Sequence, residues 1–182
     1  MIDHQGWYSL ARKVPSPHCD ERSDSEDVSL LVVHNISLPP GQFGGPYIEQ
    51  FFLGQLNAND HPFFSVIAKM RVSAHCVIRR DGEVVQFVPF HQRAWHAGVS
   101  SFAGREKCND YSIGIELEGS DFVPYTDAQY QSLTELTQTL MARYPQITLP
   151  RVTGHQYIAP LRKTDPGLVF DWRRFRAGLV SR

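Results

Sequence analysis

Cysteine is scarce in this 182-residue chain: Cys19, Cys76 and Cys108 are odd in number, widely spaced and form no C-x-x-C pair. Neither a disulfide framework nor a thiolate zinc site is indicated, and a reducing compartment is the simpler expectation. Net charge is nearly absent as well. A formal charge of −1 and a pI near 6.7 leave no broad electrostatic footprint for nucleic acid or an anionic membrane, so any anion binding is expected to be local. Long hydrophobic runs are missing: no stretch approaches about eighteen apolar residues. The opening Met1-Ile2-Asp3-His4-Gln5-Gly6-Trp7 has neither a basic n-region nor an apolar h-region. Together these absences point to a cytoplasmic protein with no membrane and no nucleic-acid partner.

What is present suffices for one substantial core. At 42% hydrophobic and 12% aromatic content, the length fits a single domain over residues 1–182, with its core over about 6–178 and a monomer as the default state. Residues 15–29, rich in Pro, Ser and acidic side chains, read as a surface arm before a first core strand at about 29–34, with His34 at its end. Residues 38–46 read as a loop, and Pro46 is placed to start a short helix through about Leu53. His75 to Arg80 and Glu83 to Val88 read as strands joined by a tight Asp81-Gly82 turn. Ser112 to Glu118 is strand-like, with Ile113, Ile115 and Leu117 on one face and Glu116 on the other. Thr126 caps the clearest helix, whose Tyr130, Leu133, Leu136, Leu140, Met141 and Tyr144 recur at helical spacing until Pro145 stops it. A last helix is predicted over about Asp171 to Leu179. The mixture predicts an α/β fold, a mixed central sheet flanked by helices.

The chemistry-bearing residues divide between the two ends. His34 closes the apolar run Leu30-Leu31-Val32-Val33, while His155, Lys163 and Asp165 lie in the segment Thr153 to Gly167. Two imidazoles and one carboxylate suit an open zinc site, whose fourth position takes a water with a pKa lowered to about 7. Histidines 121 residues apart form no local signature, however, and a single histidine is more often a surface or hydrogen-bonded core residue than a ligand. On spacing alone the two readings stand open. Glu116 is either solvent-facing or aimed into a pocket; in a pocket, general base fits it best. Lys163 could offer positive charge to an oxyanion, or be an ordinary exposed lysine. His75, His91 and His96 compete as ligands, and Trp95 with His96 reads as cleft wall or, more plainly for the tryptophan, as core. Arg71, Arg79, Arg80, Arg105 and Lys107 could grip a carboxylate-bearing substrate.

Several segments taken together resemble a known family. Leu31 to Asn35, Arg71 to Cys76, Arg93 to Gly98, Asn109 to Gly119 and Thr153 to Gly167 are similar to the motifs of zinc N-acetylmuramoyl-L-alanine amidases, above all the cytosolic branch acting on 1,6-anhydro-muramyl peptides. The resemblance runs in order from about Gly6 to Phe175. It implies the amidase fold shared with peptidoglycan recognition proteins and one zinc ion per chain on His34, His155 and Asp165. It also implies that Glu116 activates the water and Lys163 assists the oxyanion. The implied reaction is cleavage between the lactyl group of the anhydro sugar and L-alanine during wall recycling, with an indirect influence on β-lactamase induction. Asn35, Arg71 and the segment Ala94, Trp95 and His96 would line the substrate cleft, and Lys107 stands where an arginine is expected.

Two rivals follow. A non-catalytic muramyl-peptide binding module would share the fold, but such relatives tend to lack a ligand, whereas His34, His155, Asp165, Glu116 and Lys163 are all present. A cysteine hydrolase would use Cys76 or Cys108, neither of which has the flanking pattern of a familiar nucleophile.

Overall fold

Side-chain alternation along two central strands organises the molecule. The computed structural model describes residues 1–180, so the last two positions of the expected 1–182 domain lie outside the described residues. In chain order the strands are β1 (Arg12–Lys13), β2 (Cys19–Glu21), β3 (Leu30–Ile36), β4 (Cys76–Ile78), β5 (Val84–Gln86), β6 (Gln92–Ala94), β7 (Ser101–Phe102), β8 (Arg105–Glu106), β9 (Ser112–Glu118) and β10 (Val152–Gly154). The α-helices are α1 (Tyr47–Phe52), α2 (Phe64–Ile67), α3 (Asp127–Arg143), α4 (His155–Ile158) and α5 (Trp172–Val180). Among the described residues the main sheet runs β1-β5-β4-β9-β3-β10, and only the β4–β5 pair is antiparallel. This is the mixed, helix-flanked sheet that the residue pattern predicts.

β3 and β9 are apolar along nearly their whole length because, as central parallel strands, they are covered on both faces. Leu31 and Val33 join Ile113, Ile115 and Leu117 in a core roofed by Leu133, Leu136 and Leu140 of α3 and Phe175 of α5. Leu30 and Val32 pack the other way, with Ala97, Tyr111 and Ile158. By the period of two, His34 and Glu116 share that second face. The register aligns them as direct partners, His34 opposite Glu116.

Local chemistry explains the elements. Thr126 accepts from the Gln129 backbone N–H while the Gln129 side chain accepts from Thr126, a reciprocal cap that starts α3. The turn of the β4–β5 hairpin is wider by one residue than predicted. Arg79 N–H donates to Glu83 O across Arg80-Asp81-Gly82, with Gly82 at φ +90°, a conformation that favours glycine. β3 runs on to Ile36, two residues past its expected end, because Asn35 and Ile36 find partners in Leu117 and Glu118.

The expected surface arm is the main correction. Within residues 15–29, β2 pairs antiparallel with β6, and Arg22 is 7% exposed. Its guanidinium donates to the carbonyls of Asn109, Asp110 and Ser112, three acceptors that offset the cost of burying a cation. A polar composition cannot reveal backbone pairing of this kind.

Candidate metal centre

His34 enters the site from β3. His155 follows β10, whose Gly154 is registered beside Val33, so both imidazoles leave the same end of neighbouring strands. Asp165 is returned to them by the loop after α4, where its carbonyl accepts from the Gln156 backbone N–H. His34 Nδ1, His155 Nδ1 and Asp165 Oδ2 form a triangle with sides of 2.9, 3.0 and 3.1 Å.

Two corners of that triangle, His155 Nδ1 and Asp165 Oδ2, are acceptors facing each other. His155 Nε2 lies 3.1 Å from the Ala97 carbonyl, which can only accept, so a neutral His155 carries its proton on Nε2. The Nδ1 lone pair then faces the Asp165 carboxylate at 3.0 Å with no proton between them. A cation at the centre of the triangle turns this repulsion into ligation, and the Ala97 bond is the outer contact that a ligating imidazole typically makes. Tetrahedral zinc with bonds of about 2.0–2.1 Å separates its ligand atoms by roughly 3.3 Å, close to the spacing seen. Burial, with the neighbouring His155, pushes His34 down to about 4, so it is neutral at pH 7. Burial alone would raise Asp165, but its close contacts with His155 and His34 outweigh it and hold the carboxyl below its ordinary range. Neutral imidazole and ionised carboxylate are the forms a metal needs. These residues fit a zinc ion.

Glu116 stands beside the triangle. It is 9% exposed, and its Oε2 has no hydrogen-bond partner among the described residues. Burial, reinforced by the charge of Asp165 and opposed by Lys163, lifts its carboxyl well above the usual range. Glu118, two positions on and on the same face, shows the contrast, since Arg79 and the Gly44 N–H satisfy it. A buried carboxyl left unpaired is the costly one, and such groups mark functional sites.

A cleft of about 360 Å³ joins these groups: His34, His155, Asp165, Glu116 and Lys163 line it with Asn35, Trp95, His96 and an apolar wall that includes Phe51, Phe63 and Met70. Asn35 donates to Asp121 at 2.8 Å, and the Trp95 indole N–H donates to Asp20. Three residues expected on the wall lie elsewhere. The Ala94 side chain is fully buried in the core beneath β6. Arg71 is exposed and is not part of this lining. Lys107, at φ +57°, borders a separate groove of about 560 Å³ with Arg162 and Glu106. That groove is larger but holds none of the metal-site residues.

The other cationic candidates are engaged structurally. Arg79 pairs with Glu49 and Glu118, Arg105 with Asp27, and the Arg80 guanidinium donates to the Pro124 carbonyl. Both candidate nucleophilic thiols are buried: burial pushes Cys76 far above its ordinary range, and Cys108 contacts the Tyr111 hydroxyl. Residue reasoning passed over Ser112, the Ala97 carbonyl and Gly114, which brace the imidazoles. Only Gly114 left a signal, since glycine inside an apolar strand marks the close approach of another group.

Comparison with known proteins agrees with this geometry. Residues 24–168 match the family described as N-acetylmuramoyl-L-alanine amidase. The chain is 64% identical over 177 residues to 1,6-anhydro-N-acetylmuramyl-L-alanine amidase AmpD of Citrobacter freundii, covering 97% of this chain and 94% of that one. The crystal structure of a selenomethionine derivative of AmpD superposes with a TM-score of 0.95 at 64% identity, covering 98% of this chain and 99% of the other. AmpDh3 of Pseudomonas aeruginosa, solved in complex with anhydromuramic pentapeptide, superposes with a TM-score of 0.62 at 26% identity over 98% of this chain and 66% of its own. By sequence and by fold, the chain belongs to the N-acetylmuramoyl-L-alanine amidase family.

Proposed function

We propose that this chain is a zinc-dependent amidase that hydrolyses the bond between the lactyl group of 1,6-anhydro-N-acetylmuramic acid and L-alanine in muramyl peptides. The setting is cytoplasmic peptidoglycan recycling, through which it would influence β-lactamase induction, and the working unit is a monomer of one domain. The observation that carries the reading is the close triangle of His34, His155 and Asp165, with the His155 and Asp165 acceptors facing each other, beside the buried Glu116, whose Oε2 has no hydrogen-bond partner among the described residues. Among the described residues no helix is long and apolar enough to cross a membrane.

Zinc held by His34, His155 and Asp165 would supply a Lewis acid able to polarise a carbonyl and bring the pKa of water to about 7. The remaining work falls to side chains. Glu116, ionised, takes a proton from the attacking water and returns it to the alanine nitrogen as the C–N bond breaks, so that acid and carboxylate forms alternate within a turnover. Its burial favours the proton-bearing form and Lys163 favours the charged one, which supports a group able to work in both directions. Lys163, lining the same cleft, places positive charge where the former carbonyl oxygen becomes negative. Asn35 and Trp95 are fixed by Asp121 and Asp20 and offer a rigid wall for the substrate.

The deciding experiment compares 1,6-anhydro-N-acetylmuramyl tripeptide with intact peptidoglycan by chromatography, with chelator and after zinc restoration. Zinc-dependent release of free peptide from the anhydro substrate is expected. Tight binding without release would instead mark a recognition module.

A further inference from the structure

His96 lines the cleft, yet both of its ring nitrogens are committed to the protein. Nδ1 lies 2.9 Å from His34 Nε2, and Nε2 lies 3.1 Å from Ser112 Oγ. The imidazole meets the His34 ring edge-on, with centroids 4.9 Å apart at 85°. Directly beneath it is Gly114: an added Cβ would approach the His96 ring to 2.4 Å at Cγ and 2.5 Å at Nδ1. A separation below 3.0 Å is one that real Cβ atoms essentially never show, so the ring occupies space that exists only because Gly114 has no side chain.

The hydrogen-bond chain has a forced direction once His34 Nδ1 is a ligand. The remaining proton of a neutral His34 must then sit on Nε2, facing His96 Nδ1 as its acceptor. His96, neutral in turn, carries its own proton on Nε2, and Ser112 Oγ accepts it. We propose that His96 is a positioning residue for the metal ligand His34: seated over Gly114 and anchored by Ser112, it receives the Nε2–H and aims the Nδ1 lone pair into the site. The inference rests on the metal reading of His34 given above. It reassigns His96 from a substrate contact to an outer partner of the centre. His155 has the equivalent partner in the Ala97 carbonyl.

The test is zinc affinity of the metal-free full-length protein, measured by competition with a chromophoric chelator, with no substrate present. His96→Phe keeps a ring over Gly114 but removes the acceptor, and is expected to weaken zinc about 10- to 100-fold, the usual effect of losing an outer-shell partner. His96→Asn discards the ring but can put an amide oxygen near the position of Nδ1, and is expected to recover most of that loss. Ser112→Ala, which leaves His96 without its anchor, is expected to weaken zinc in the same direction by a smaller factor. A role confined to packing predicts the reverse order, with the Phe variant mild and the Asn variant severe. Wild-type affinity in His96→Phe, or an Asn variant as weak as the Phe variant, overturns the proposal. Should the Phe variant fail to fold by circular dichroism, wild-type affinity in Ser112→Ala overturns it just as well. The parent reading fails separately, if wild-type protein takes up no stoichiometric zinc or if His34→Ala binds it undiminished.

Discussion

The two faces of β3 and β9 are made by the same strands, yet they are built on opposite terms. On the face covered by α3 and α5, Leu31, Val33, Ile113, Ile115 and Leu117 meet apolar partners, and nothing in that cluster needs a ligand. On the other, alternate positions present His34, Gly114 and Glu116: an imidazole at one corner of the triangle, a glycine yielding its space to another imidazole, and a buried carboxyl oxygen without a hydrogen-bond partner among the described residues. One layer therefore stores the folding free energy that the other spends in holding reactive groups ready. A site of unsatisfied groups persists only when the structure around it over-determines its geometry.

Substitutions on the two faces should separate metal and catalysis from stability. The largest effect is expected from His34→Ala, which leaves an open three-ligand site with no spare: zinc should weaken on the order of a thousandfold or more and activity should vanish together with it. Calorimetric titration with zinc checks this, and undiminished binding would dissolve the contrast between the faces. Next comes Glu116→Gln, expected to lower kcat about 10²- to 10⁴-fold while zinc stays bound and thermal stability does not fall, because the lost group had no partner to lose. A lower Tm would show that Glu116 carries a stabilising bond after all. On the helix-covered face, Leu136→Ala should cost about 2–5 kcal/mol in urea unfolding, with zinc affinity of the folded protein unchanged.

Acid should also act from the site side. Burial, with Arg22 nearby, depresses His75 from 6.5 to about 3, so the unfolded chain takes up this proton first as the pH falls. Its contribution to the stability of the metal-free protein is complete above about pH 6.5 and should be lost between there and pH 3. His75→Gln should flatten that part of the profile, and an unchanged acid slope would assign the loss to other groups. The smallest effect, about 1 kcal/mol, is expected for Thr126→Ala at the start of α3, with chelator competition unaltered.

Legibility in the sequence followed the same division. Thr126, the apolar period of α3, the position of the turn at Asp81-Gly82 and the whole of β9 could be read directly because their signals are local. The opposite face could not. Alternation said that Glu116 leaves its apolar neighbours, but whether it met solvent or a pocket depended on the parallel register with His34, a pairing between distant segments. Arg22 was unreadable for a related reason, since its three backbone acceptors come from 109–112, far along the chain. Ala94 and Lys107 show the limit of carrying roles along a motif: neighbours in sequence can turn into the core or into an adjoining groove.

The placement of the ligands also constrains how the protein comes into being at the ribosome. His34 sits on β3, an interior strand of the sheet, whereas His155 and Asp165 arrive with β10, the edge strand beside it, and the loop beyond α4. A nascent chain that has exposed only β3 to β9 holds His34 and Glu116 but not His155, Lys163 or Asp165. On the metal reading of this site, loading would be a late event in synthesis, and an interrupted chain would be an inert one.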